Sequence, residues 1–164
     1  PNNYLEMIRL KTSILFGAAA YGGARIGGTN EEEARELENM ATNVGLGFQI
    51  WDDYLDATAS EEVLGKPSGS DIRQGKRTLL VIEALNRSNL EQQKRLLEIL
   101  DSENSNDDIA EAVNIMDECG ALSECHKQAN QYLEGARKVL LKYPKSEART
   151  LFEELLEYMV TRGH

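Results

Sequence analysis

The stretch Phe48-Gln49-Ile50-Trp51-Asp52-Asp53-Tyr54-Leu55-Asp56 decides how this chain is read. Placed on a helix at ~100° per residue, it divides into two faces. Phe48, Trp51 and Leu55, with Ile50 and Tyr54 beside them, cover one side; Gln49, Asp52, Asp53 and Asp56 cover the other. Like charges at i,i+4 cost a helix ~0.2–0.5 kcal/mol. No Lys or Arg stands between Arg35 and Lys66 to relieve them. A bound cation would do so. Hard carboxylate oxygens on one rigid face suit Mg²⁺, which takes one or two carboxylates and fills its shell with water and phosphate oxygens. A solvated acidic helix face fits the same residues, and this stretch alone does not choose between the two.

Upstream, Asn30 followed by Glu31-Glu32-Glu33 is a strong helix start, a capping side chain with acids at the positive end of the dipole. Leu37, Met40 and Val44 continue the apolar stripe to Phe48, so one helix is predicted from Asn30 to about Asp56. Gly45 and Gly47 lower its propensity by up to ~1 kcal/mol each; tight packing or a kink beside a ligand would account for them. Before it, Tyr4, Met7, Ile8, Lys11, Ile14, Leu15 and Ala18 keep helical spacing, which predicts a helix from Pro1 to about Ala24 with Asn2 or Asn3 as its cap. Lys11 falls on the apolar side, either as a stem that packs while its head reaches water or as an amine aimed into a polar cavity. The run Gly17-Ala18-Ala19-Ala20 would let another helix approach closely, and Gly22-Gly23 and Gly27-Gly28 end or kink this one.

Downstream, Thr58 to Gly75 is predicted as a Gly- and Pro-punctuated loop that gathers Lys66, Arg73, Lys76 and Arg77 behind the acidic helix. It lacks GxxxxGK[ST] and so is not a P-loop. It reads as a basic surface loop or, beside a metal face, as the cations that hold an anionic group. Beyond it, Thr78 to Leu85 is apolar enough to be buried, and Leu90 to Leu100 is helical. Asn106-Asp107-Asp108 caps a helix through Asp117 that Gly120 closes; Ala121 to Tyr143 and Glu147 to Val160 follow, separated by Pro144. No strand, hairpin or internal repeat is visible, so the class is all-α with short connections.

The 164 residues suffice for one domain with a core. A net charge of −10 argues against nucleic acid and against anionic lipid. It leaves room for a phosphorylated small molecule, provided divalent cations stand between carboxylates and phosphates. Cys119 and Cys125 are too few for a disulfide framework. Cys125 and His126 raise a zinc reading, but three soft ligands at this spacing match no common site, and free thiols in a reducing cytosol are expected instead. The longest uncharged run, Thr12 to Ala24, is shorter than the ~20 residues of a membrane span. No signal peptide is seen, so a cytoplasmic location is expected. The chain opens on Pro1 rather than Met, which suggests a processed chain or a fragment.

Lys11-Thr12, then GFQIWDDYLD at Gly47–Asp56, then GKPSGSDIRQGKRT at Gly65–Thr78 together resemble the trans-isoprenyl diphosphate synthases, the farnesyl, geranylgeranyl and longer-chain enzymes. The likeness extends over the helical layout to the LLEYMVTR tail at Leu155–Arg162. A lone DDxxD is weak; FQxxDDxxD followed by GK and by DxxxxK is specific. The resemblance implies an orthogonal α-helical bundle of the isoprenoid synthase type. In the reaction it implies, an allylic diphosphate ionises, pyrophosphate leaves, and the allylic carbocation alkylates the double bond of isopentenyl diphosphate before a proton is lost to pyrophosphate. It also implies Mg²⁺ as cofactor, with Asp52 and Asp56 as ligands, Asp53 as their companion and Asp71 joining through water. Lys11, Lys66 and Lys76 would bind the diphosphate, and the Thr12 and Gln49 oxygens would face the allylic cation. A homodimer of the full-length enzyme is implied as well.

One departure is large. The family carries a first aspartate-rich motif, with an arginine pair after it, on an earlier helix. It also has an upstream basic pocket for isopentenyl diphosphate; neither is found in these residues. The expectation is therefore the C-terminal half of such an enzyme, inactive alone, with product length undetermined. A non-catalytic, synthase-like partner subunit is the rival, though such a subunit has no reason to keep Lys11, Gln49, Asp52, Asp56, Lys66 and Lys76. A terpene cyclase would bring an NSE-type metal motif, which is not seen.

Overall fold

The acidic start after Asn30 behaves as its chemistry dictates: the Asn30 Oδ1 accepts the Glu33 N–H at 2.9 Å, and a helix of 28 residues follows. In this computed structural model, which describes residues 1–60, 62, 65 and 68–161, the elements in order are α1 (Asn2–Ile8), a π-helical turn (Arg9–Ser13), α2 (Ile14–Ile26), α3 (Glu31–Thr58), α4 (Ser70–Arg73), α5 (Leu79–Arg87), α6 (Leu90–Leu100), α7 (Asn106–Glu118), α8 (Ala121–Leu140) and α9 (Glu147–Thr161). No strand occurs among the described residues, so the all-α expectation holds. None of the helices searched is long and apolar enough to cross a membrane.

The chain forms two compact units, and α3 and α8 each contribute to both. One comprises Asn2–Gln49 and the chain from Gln128 through α9. Its core is built from Met40 and Val44 of α3, Leu133, Ala136 and Leu140 of α8, and Leu156 and Met159 of α9. Phe16 and Phe48 pack against it with ring centroids 6.1 Å apart, within the range in which aromatic pairs add ~0.5–1.5 kcal/mol beyond their area. The small-residue run does let a helix close in: a Cβ on Gly17 would strike Thr42 Oγ1 of α3 and lie 3.1 Å from the Glu38 carbonyl.

The first helix departs from its expected continuity. The Ile14 N–H bonds to the Arg9 carbonyl, five residues back, so one turn takes an extra residue. That residue rotates the register, and the buried positions become Ile8, Ser13 and Gly17, while Met7, Ile14 and Leu15 remain exposed. Gly45 explains the contact. A Cβ there would lie 2.7 Å from Ser13 Cα and 2.9 Å from its Cβ, and one on Gly47 would lie 3.1 Å from the Ala129 carbonyl and from Tyr132 Cβ. Of the two accounts of these glycines, tight packing is the correct one.

The other unit is built on Ile50–Lys127. Ile50, Trp51, Leu79, Leu80, Val81, Leu96, Ile99, Met116 and Cys125 are its largest fully buried side chains. The α7 cap is Ser105 rather than the Asn-Asp-Asp run. Its hydroxyl accepts the Asp108 N–H at 3.2 Å while Asp108 accepts the Ser105 N–H at 2.9 Å, a reciprocal capping box. Asp108 also takes Arg95 at 2.6 Å, and Glu111 takes the same guanidinium at 2.6 Å, which ties α6 to α7. With two bonds from Ser105 and one from Arg95, the Asp108 carboxyl is held down to about 2.

Candidate functional site

The predicted site residues fall into two groups, each described within its own unit. In the first, the π-turn carries Lys11 and Thr12. Lys11 is exposed; Thr12 is half-buried and donates its hydroxyl to Gln49 Oε1 at 3.4 Å, a long and weak bond. Ser13, next along, is fully buried on Gly45. A π-turn in mid-helix often marks functional residues; here it directs Lys11 outward and Thr12 toward α3.

The second group stands at the C-terminal end of α3. Its acidic residues do not form a solvated face: Asp53 is 6 % exposed and Asp56 3 %, whereas Asp52 is half-buried. Burying a carboxylate is costly unless hydrogen bonds compensate it. For Asp56 they are visible. Its Oδ1 accepts the Ser70 hydroxyl at 2.6 Å and its Oδ2 the Asp71 N–H at 2.8 Å. Its main-chain carbonyl accepts the Gly69 N–H at 2.6 Å. Gly69 holds φ +71°, a left-handed conformation, with its α-carbon face against Ile109, so only glycine fits. The expected loop therefore contains a short helix, α4, anchored on α3. Asp71, in its first turn, pairs with Lys76 Nζ at 2.5 Å.

The predicted gathering of cations is only partly met. Arg73 donates to the Asn104 carbonyl at 3.2 Å and to Asn106 Oδ1 at 2.7 Å, and Arg77 pairs with Asp101 at 2.5 Å, so both brace the segment against the α6–α7 connection. Lys76 is the described cation brought to the acidic group. Lys66 lies outside the described residues. Behind the acidic residues, Trp51 stacks on Tyr54 with centroids 5.1 Å apart, and His126 packs on both at 5.2 and 5.5 Å. His126 is thus an aromatic neighbour here. Burial, then Glu83, Asp53 and Glu124, push the Cys125 thiol up to about 12, so it stands as a neutral, buried thiol at neutral pH.

No group of three His, Cys, Asp or Glu side chains among the described residues forms a cage for a metal. The donors instead fit a Mg²⁺ that takes one or two carboxylates and completes its shell with water and phosphate oxygens, with the half-buried Asp52 the most accessible of the three. The residues that sequence reasoning did not single out are Ser13, Gly69 and Ser70. Of these, Gly69-Ser70 carries a signal, a glycine followed by a hydroxyl side chain able to bond a nearby carboxylate.

Residues 1–116 match the polyprenyl synthetase family model. Over 98 % of its length the chain is 40 % identical to a short chain isoprenyl diphosphate synthase of Methanothermobacter thermautotrophicus, of which it covers 49 %. It is 38 % identical to a geranylgeranyl diphosphate synthase of Methanosarcina mazei over 99 % of this chain and 49 % of that one. The crystal structure of geranylgeranyl pyrophosphate synthetase from Pyrococcus horikoshii superposes with a TM-score of 0.91 at 39 % identity, over 98 % of this chain and 49 % of the other. The chain spans about half the length of the curated relatives it matches.

Proposed function

Because this chain belongs to the polyprenyl synthetase family, we propose that it carries part of a prenyltransferase site that joins an allylic diphosphate to isopentenyl diphosphate. The observation that carries the reading is the arrangement at the end of α3, where Asp56, one helical turn on from Asp52 and Asp53, gathers the Gly69–Asp71 turn and with it the Asp71–Lys76 pair. An acidic helix with no function has no need to bury two of three carboxylates and bring an ion pair to them.

In this reading the allylic C1–O bond breaks and pyrophosphate leaves with the electron pair. The terminal alkene carbon of isopentenyl diphosphate bonds to C1, which leaves a tertiary cation on the other alkene carbon, and the CH2 beyond that carbon loses a proton to pyrophosphate as the new double bond forms. When bound, Mg²⁺ supplies positive charge for the leaving diphosphate. Asp52 would be its principal protein ligand, with Asp53 and Asp71 as the further carboxylates that would support it. Lys76 holds diphosphate oxygens as a point charge; Lys11 and Lys66 have the same role by resemblance. The Thr12 hydroxyl and Gln49 carbonyl present oxygen lone pairs suited to a carbocation. We assign the chain to the C-terminal half of such an enzyme, one that forms a homodimer at full length.

Calorimetric titration with inorganic pyrophosphate tests this. Binding is expected only with Mg²⁺ present, and Asp52→Asn and Lys76→Ala should each weaken it about tenfold or more, as for a lost charge-assisted hydrogen bond. Equal affinity without Mg²⁺, or no effect of either substitution, rejects the reading. The chain alone is expected to give no condensation of labelled isopentenyl diphosphate with an allylic diphosphate.

A further inference from the structure

The resemblance makes Asp56 a metal ligand, but its surroundings do not. We propose that Asp56 is a positioning residue: it clamps the Gly69–Asp71 turn to α3 and thereby sets where Asp71 and Lys76 stand. The carboxylate is 3 % exposed, and each of its oxygens already accepts a short hydrogen bond, one from a hydroxyl and one from a backbone N–H. Mg²⁺ keeps several waters and demands near-octahedral geometry, and so small an exposure gives that shell little access. The carbonyl of the same residue receives the Gly69 N–H, so side chain and main chain of Asp56 grip consecutive residues of one turn. The turn transmits the grip. Asp71 is half-buried, its carboxylate pairs with Lys76, and its carbonyl accepts the Lys76 N–H at 2.9 Å. Moving the turn moves the pair. That this pair serves a metal–diphosphate rests on the function proposed above; the clamp itself does not.

The test uses the ¹⁵N-labelled chain with Asp56→Ala, Asp56→Asn, Ser70→Ala and Ser70→Thr. Amide exchange is read at Gly69 and Asp71 against the amides of α5. Mn²⁺ as a stand-in for Mg²⁺ is followed by relaxation, and inorganic pyrophosphate by calorimetry. Asp56→Ala should speed exchange at Gly69 and Asp71 by about a hundredfold over α5, and Ser70→Ala by about tenfold, in line with the loss of two bonds and of one. Ser70→Thr, which keeps the hydroxyl, should restore protection. Mn²⁺ affinity should stay within about threefold of the parent in every variant, while pyrophosphate affinity with Mg²⁺ falls about tenfold in Asp56→Ala and less in Ser70→Ala.

Tenfold weaker Mn²⁺ binding in Asp56→Asn with Ser70→Ala unchanged would make Asp56 a ligand and overturn the proposal. Unprotected Gly69 and Asp71 amides in the parent chain would overturn it as well. If the parent binds neither Mn²⁺ nor pyrophosphate, the diphosphate reading fails, and loss of amide protection in Asp56→Ala still establishes the clamp. Should Asp56→Ala not fold, the Ser70→Ala and Ser70→Thr pair decides by the same amides.

Discussion

Gly45 and Ser13 are so close that a methyl group on the glycine would stand 2.7 Å from the Ser13 α-carbon. The obstacle is backbone, which has no rotamer to escape into. Gly45→Ala therefore gains up to ~1 kcal/mol of helix propensity and loses ~1–3 kcal/mol or more to overpacking. The expected outcome is a lower midpoint of urea unfolding. Gly22→Ala is the control: nothing lies within 4 Å of its would-be Cβ in α2, so the midpoint should rise. Two glycine-to-alanine changes of opposite sign would confirm the contact.

The Thr12–Gln49 bond is too long to be held for stability. At 3.4 Å, a double-mutant cycle of Thr12→Val and Gln49→Leu should give a coupling of less than about 1 kcal/mol in chemical unfolding. A larger coupling would mean that the hydroxyl and amide are a structural pair and would weaken their assignment to the carbocation.

Asp108 makes a pH prediction whose sign is fixed by its downward shift. Its carboxyl is held to about 2 in the folded chain against an ordinary 3.8, chiefly by the Ser105 N–H and hydroxyl and then by Arg95. The stabilisation it contributes is present above about 3.8 and is lost as pH falls toward about 2. A carboxyl-carbon NMR titration should place it near the lower value, and Ser105→Ala should move it upward. An unchanged titration in that variant would show that the residue-105 N–H and Arg95 hold the charge without the hydroxyl.

The two thiols should separate in a labelling experiment at pH 8. Cys119 is half-buried and Cys125 is 1 % exposed with its thiol pushed up to about 12. One fast and one slow modification are expected, the slow one at the rate of unfolding. Because the folded thiol is shifted upward, its linkage favours the folded chain below the ordinary value of 9.0 and is lost as pH rises from there toward about 12.

What the sequence made legible is what depends on near neighbours. The start of α3 follows from Asn30 and three glutamates, and its length from a stripe that runs from Leu37 to Leu55. The glycines at 45 and 47 stood out as anomalies in a helix, although their partners, Ser13 and Ala129, did not. The start of α7 was misplaced by one residue because Ser105 and Asn106 are both good caps, and only the reciprocal bond with Asp108 distinguishes them. The depth of Asp56 was hidden because the hydroxyl and amide that compensate it lie 14 and 15 residues away. Nothing in Arg9-Leu10-Lys11-Thr12-Ser13 announces a π-turn, since such a turn has no composition of its own.

That turn can be regarded as a one-residue insertion retained in an otherwise regular helix. Deleting a residue from Arg9–Ser13 would allow an unbroken α-helix with better intrinsic hydrogen bonding, and yet a worse protein. Every position after the cut would swing by ~100° about the axis, turning Gly17 off Thr42 and presenting a bulkier neighbour to α3. Gaps are ordinarily tolerated in loops and at termini; in this chain the segment least tolerant of a length change lies inside a helix, where substitutions at Arg9 or Leu10 should be accepted far more readily than the loss of either.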